Sequence, residues 1–131
     1  MKLSNNIGSA LVELAIILPL LVLIAFGICE FGWAMYVNNS LGNAAREGAR
    51  LAAVTPRPIM VTDARITTRV KESLSFSYAV TDLNIITTPP PTASGGPVTV
   101  TVTLIFHSFT SFFPMLDGKQ LKGEATMRYE L

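Results

Sequence analysis

Few residues of this chain could do chemistry, and the most telling lie near its start. Glu13 is a lone carboxylate within an apolar run that begins at Ser9, and the next charged residue is Glu30. A carboxylate in hydrocarbon costs on the order of 3 kcal/mol and calls for a partner. An α-amino group would serve. A cut after Gly8 would give Ser9 a new ammonium four residues before Glu13, one helical turn away. The two could meet within a chain, or between neighbouring chains shifted along a filament axis. The chemistry at Gly8 and Ser9 is then proteolysis done to the chain, followed by an ion pair at Glu13.

The remaining reactive groups do not form a catalytic pattern. His107 is the single histidine, and no Ser, Cys or acid motif accompanies it in the sequence. Cys29 is the single cysteine, so no intrachain disulfide and no thiolate metal site can form. At the end of the apolar run it reads as a small apolar helix residue, with an interchain disulfide as the lesser alternative. Gly95-Gly96 lies among prolines ahead of a strand and reads as a turn rather than a phosphate loop. Neither a metal nor a cofactor is expected.

These residues sit on a long helix. Sixteen uncharged residues separate Glu13 from Glu30, spanning roughly 24 Å against a hydrocarbon core of about 30 Å. Adding Ser9 to Val12 closes the gap and draws Glu13 into the apolar layer. Pro19 removes one helical hydrogen bond and is expected to kink or loosen the helix. Glu30 is expected at the outer interface, followed by Trp33 and Tyr36 as aromatic anchors at headgroup level. A secretory signal fits poorly, because Phe26-Gly27-Ile28 would put a branched residue at the cleavage site. A lipoprotein signal ending at Cys29 fails for the same reason. The charges flanking the segment are too few and too distant to orient it.

The string Gly8…Glu13 ahead of an apolar helix resembles the prepilin peptidase signal of type IV pilins. The fuller set, Val12-Glu13-Leu14, Leu18-Pro19, Phe26-Gly27-Ile28, Glu30-Phe31-Gly32 and Asn43-Ala44-Ala45-Arg46-Glu47-Gly48-Ala49-Arg50, closely resembles the TadE-like family, minor pseudopilins of the tight-adherence (Flp) pilus system. The resemblance covers the first 55 residues well and extends to the Val-Thr strand and Met127-Arg128-Tyr129-Glu130. Little of it is seen from Pro56 to Pro97. It implies a leader over 1–8, a transmembrane helix over 9–30 and an extracytoplasmic pilin-like domain over 31–131. It implies a single-pass protein of the bacterial inner membrane, possible incorporation into the extracellular pilus, and no enzymatic activity. The implied partners are a prepilin peptidase, other pilins or pseudopilins, and the inner-membrane assembly platform. Two other readings stay open: a membrane-anchored binding domain that is never cut, and a major filament subunit, although major subunits of this system are usually much shorter.

Beyond the membrane, the helix is expected to continue to Val54 and stop before Pro56 and Pro58, about 45 residues in all. Small residues at Ala44, Gly48 and Ala52 allow close helix packing. Val37, Leu41, Ala45, Gly48 and Ala52 form an apolar stripe. A second helix, capped by Thr62 and running to about Phe76, presents Ile66, Val70 and Leu74 to a sheet. Three strands follow, at Thr81–Thr87, Val98–Phe106 and Leu121–Leu131, the last two alternating in polarity. Phe109, Phe112, Phe113, Pro114, Met115 and Leu116 make an apolar loop before the Asp117-Gly118 turn. The expected fold is α+β, with a three-stranded antiparallel sheet covered by the outer half of the first helix. Removing the leader takes away Lys2 and leaves nine basic and nine acidic side chains. That balance argues against a nucleic-acid partner.

Overall fold

The computed structural model of the 131-residue chain describes residues 4–60, 63–79, 81–89, 95–108, 110 and 114–130. It is an α+β structure. One helix, α1 (Ser4–Ala53), runs 50 residues with Pro19 inside it, a length of about 75 Å. Its start lies upstream of Ser9, at Ser4. It ends where expected. Thr55 Oγ1 donates to the carbonyl of Leu51 at 2.8 Å, and Pro56 has no N–H to offer. The Glu130 amide donates to the carbonyl of Ala53 at 3.0 Å, so the C-terminal segment satisfies one of the helix's open acceptors.

Pro56 and Pro58, expected only to stop α1, also open a short helix, α2 (Arg57–Met60). Proline is tolerated in a first turn because its missing N–H would be unpaired there anyway. Helix α3 (Ala64–Glu72) is shorter than expected and is capped by Asp63, whose carboxylate accepts from the Arg65 amide at 2.9 Å. The expected cap, Thr62, lies outside the described residues. Ser73 ends α3 by turning its hydroxyl back to the Arg69 carbonyl at 2.8 Å. Phe76 therefore stands beyond the helix. Ile66 and Val70 are buried as the spacing required, but α3 packs chiefly on α1 rather than on the sheet.

Strands β1 (Leu83–Thr88), β2 (Pro97–Ile105) and β3 (Gln120–Arg128) form an antiparallel sheet in the order β1-β2-β3. β1 begins two residues later than expected because Ala79 to Asp82 closes a turn. The alternation of β2 holds: Val98, Val100, Val102, Leu104 and Phe106 are all buried. On β3 the inward face holds Leu121, Gly123, Ala125 and Met127, followed by buried Tyr129. Leu131 lies outside the described residues.

α1 packs across β2 and β3, and the core is the seam between them. Val37, Leu41, Ala44, Ala45, Ala49, Ala52 and Ala53 are buried on α1. Alanine and glycine there allow the close approach. A Cβ built on Gly123 would lie 2.6 Å from the Gly42 amide nitrogen and closer still to the carbonyl of Leu41. Only glycine lets that strand meet that helix turn.

Candidate functional site

The chemistry-bearing residues of the N-terminal stretch lie on a helix that the domain leaves uncovered. Residues 7–26 of α1 are all exposed. The helix is long and apolar enough to cross a membrane, and its most apolar window has no buried residues. A core helix of a water-soluble protein would be buried there, so this surface needs an apolar environment of its own. The α1 backbone passes through Gly8 and Ser9 as regular helix. Glu13 reaches back one turn, and Ser9 Oγ donates to its Oε1 at 3.4 Å. Residues 9 and 13 therefore share one helix face, the arrangement that an ammonium at position 9 would require.

The outer half of α1 carries the remaining residues singled out above. Ala44, Gly48 and Ala52 are buried inside the domain. A Cβ at Gly48 would meet Val70 Cγ2 at 2.6 Å and Val100 Cγ1 at 3.1 Å. The close packing that their spacing permits is made within the chain, against α3 and β2. Trp33 and Tyr36 are partly exposed and stack with ring centroids 5.4 Å apart. Phe76 meets each of them edge-on at 6.3 Å, and Tyr36 Oη donates to the Ser75 carbonyl at 3.3 Å. The two rings thus brace the segment after α3 against the helix.

Glu30 departs from expectation. It is 1% exposed, enclosed by the domain rather than turned outward. Thr110 donates to Glu30 Oε2 from both its backbone amide and its hydroxyl, each at 3.1 Å. Two donors on one carboxylate oxygen offset part of the cost of taking the charge out of water. Thr110 is eighty residues away in sequence, and no local pattern announces it. Of the apolar loop, Phe109, Phe112 and Phe113 lie outside the described residues, while Leu116 packs on the core and Met115 is exposed.

His107 has the acidic neighbours that the sequence did not show. Its Nε2 lies 3.1 Å from Asp82 Oδ2 and its Nδ1 lies 3.6 Å from Asp117 Oδ1. The imidazole is an exposed tie between the turn before β1 and the turn before β3. A nucleophile is missing from these contacts. Among the described residues no group of three or more His, Cys, Asp or Glu side chains could hold a metal. At the far end of the domain an open groove of about 900 Å³ is lined by Arg50, Arg69 and Arg128 together with Glu47 and Glu130. Glu47 and Arg69 pair at 3.3 Å across it. This mixed-charge surface holds no nucleophile and base pair.

At α3, the guanidinium and backbone amide of Arg65 both bond to Asp63 and hold its carboxyl below the usual carboxylate value. That is the signature of an anionic cap, not of an acid poised for catalysis.

A model of the TadE-like protein family matches residues 8–50. All of these lie on α1, from the Gly8–Ser9 bond to the last turns of the buried stripe. The match bears out, over that stretch of α1, the resemblance read from the sequence. Neither a curated protein nor a solved structure matches the chain.

Proposed function

We propose that this chain is a minor pseudopilin-like subunit for assembly of a tight-adherence (Flp) pilus. It is held in the bacterial inner membrane by the exposed half of α1, with the α+β domain outside the cytoplasm. A prepilin peptidase cuts after Gly8, and the released Ser9 ammonium becomes the partner of Glu13, in the same chain or in a neighbouring pilin. The observation that carries this reading is the exposed helix face shared by Ser9 and Glu13, inside the stretch that matches the TadE-like family. A carboxylate at that depth is costly without a cation and useful with one.

The two halves of α1 divide the labour. Residues 9–30 offer an apolar surface to lipid or to other pilin helices. The outer half is already enclosed by its own sheet and α3, so recruitment by helix packing falls to the membrane half. Pro19 lies in that half and provides a yielding point when the helix leaves the bilayer.

N-terminal sequencing of the membrane-purified protein tests the processing. A new terminus at Ser9 is expected, and a retained Met1 would leave an uncut anchor instead. Glu13→Leu is expected to insert normally yet enter pili poorly. Unchanged incorporation would remove the role assigned to Glu13. A low abundance in sheared pili is expected of a minor subunit, against the high abundance of a major one.

A further inference from the structure

Beside the first turns of the outer half of α1 lies a pocket of about 180 Å³, lined by Trp33, Phe76, Tyr78, Asp82, Leu104 and His107 among others. Trp33 and Tyr78 each stand edge-on to Phe76, at centroid distances of 6.3 and 6.1 Å and interplanar angles of 75° and 71°. Rings so inclined turn their faces in different directions instead of forming one flat stack. Asp82 is the one carboxylate in the lining, and its side chain is 19% exposed. No Lys or Arg stands among the described residues that line the pocket. Ring faces and a carboxylate both attract cations, more strongly where water is largely excluded. The volume is below the roughly 300–1,000 Å³ of common ligand sites, so the guest is a single small group.

The depth of the pocket identifies the source of the cation. On the reading of α1 as membrane-spanning, on which this inference rests, the uncharged run ends at Glu30 and hydrocarbon gives way to headgroups there. Trp33 follows three residues later on the same helix, a rise of about 4.5 Å. The pocket is therefore held at headgroup depth by α1 itself. We propose that it binds the ammonium group of a zwitterionic phospholipid, with the cation against the rings of Trp33, Phe76 and Tyr78 and with Asp82 as its counter-ion. His107, whose Nε2 lies 3.1 Å from Asp82 Oδ2, holds that carboxylate in place. The bound lipid ties the domain to the bilayer before assembly, and extraction into a filament must release it.

Trp33 is the single tryptophan of the chain, so its fluorescence reports on the pocket. The full chain in dodecyl maltoside micelles is titrated with a short-chain phosphatidylcholine, with phosphatidylglycerol of the same chains, and with free choline. A saturable shift with phosphatidylcholine and none with phosphatidylglycerol is expected. Asp82→Asn and Phe76→Leu, each checked for fold by circular dichroism, are expected to weaken phosphatidylcholine binding about tenfold. The wild-type comparison stands even where a variant fails to fold. Equal responses to the two lipids, or undiminished binding by both folded variants, overturn the proposal. Free choline binding as tightly as phosphatidylcholine would make the ligand a dissolved cation and also overturns it. A separate measurement tests the membrane reading: a bimane label at native Cys29, in vesicles, should be quenched by lipids brominated in the acyl chain. Quenching there without headgroup selectivity at Trp33 removes the lipid site and leaves the spanning helix intact. Absence of quenching overturns the membrane reading and this inference with it.

Discussion

Two glycines set how closely α1 approaches its neighbours, and they differ in what an added methyl would meet. At Gly123 an added methyl would run into the backbone of Leu41 and Gly42, which can move only by shifting a helix turn. Gly123→Ala is expected to cost about 3 kcal/mol, read as a lowered Tm of the full chain in detergent micelles. At Gly48 the obstacles are side-chain carbons of Val70 and Val100, and alanine gains about 1 kcal/mol of helix propensity. Gly48→Ala is therefore expected to lose less, about 1 kcal/mol net. A reversed order would contradict the packing described. Asp63 gives a pH dependence. Its folded pKa lies below the ordinary 3.8, so its capping contribution is complete above that value and is lost as acid carries the pH down through the folded value. Asp63→Asn keeps a capping oxygen but not the charge. The Tm gap between wild type and variant is expected at neutral pH and should close as the carboxylate is protonated. The spacing of Ile66 and Val70 made the inward face of α3 legible in the sequence. The choice of Asp63 as cap was not legible, because Asp63 and Thr62 are both good capping residues and only the path of the chain decides between them.

Among the elements, α1 serves two environments and its two halves are held by different physics. The outer half is stabilised by tertiary burial against β2, β3 and α3, and the inner half by whatever apolar medium surrounds it. The boundary falls at Glu30, where Thr110 ties the β2–β3 connection to the helix. Removing the hydroxyl donor with Thr110→Val leaves a buried carboxylate with one fewer bond and is expected to cost about 2 kcal/mol. Thr110→Ser should recover most of it, and chemical denaturation of the three proteins checks the pair. The strict alternation of β2 was plain in the sequence because valine and threonine there obey a period of two. The inward gap on β3 at Gly123 was visible only as a missing apolar residue. That it marks a crossing with α1 depends on how helix and strand are docked.

For the whole molecule, the outer half of α1 and the sheet should unfold together, since each supplies half of one core. Amide exchange of residues 37–53 is expected to report the same opening free energy as Val98–Leu104 in micelles. Gly123→Ala should lower both equally and leave the exchange of 14–28 unchanged. Independent opening of 37–53 would mean that the outer helix stands without the sheet.

The chain's own order of residues determined the long helix, its stop before Pro56, the alternating strand β2 and the spacing of Gly8, Ser9 and Glu13. Each depends on neighbours within a turn or a pleat, where periodicity records the environment. Tertiary structure alone decided that Glu30 is buried under Thr110, that Asp82 and Asp117 flank His107, and that Ala44, Gly48 and Ala52 are used within the domain. Those contacts join segments tens of residues apart. Their partners are fixed by how helix and sheet dock, which leaves no periodic trace in either segment alone.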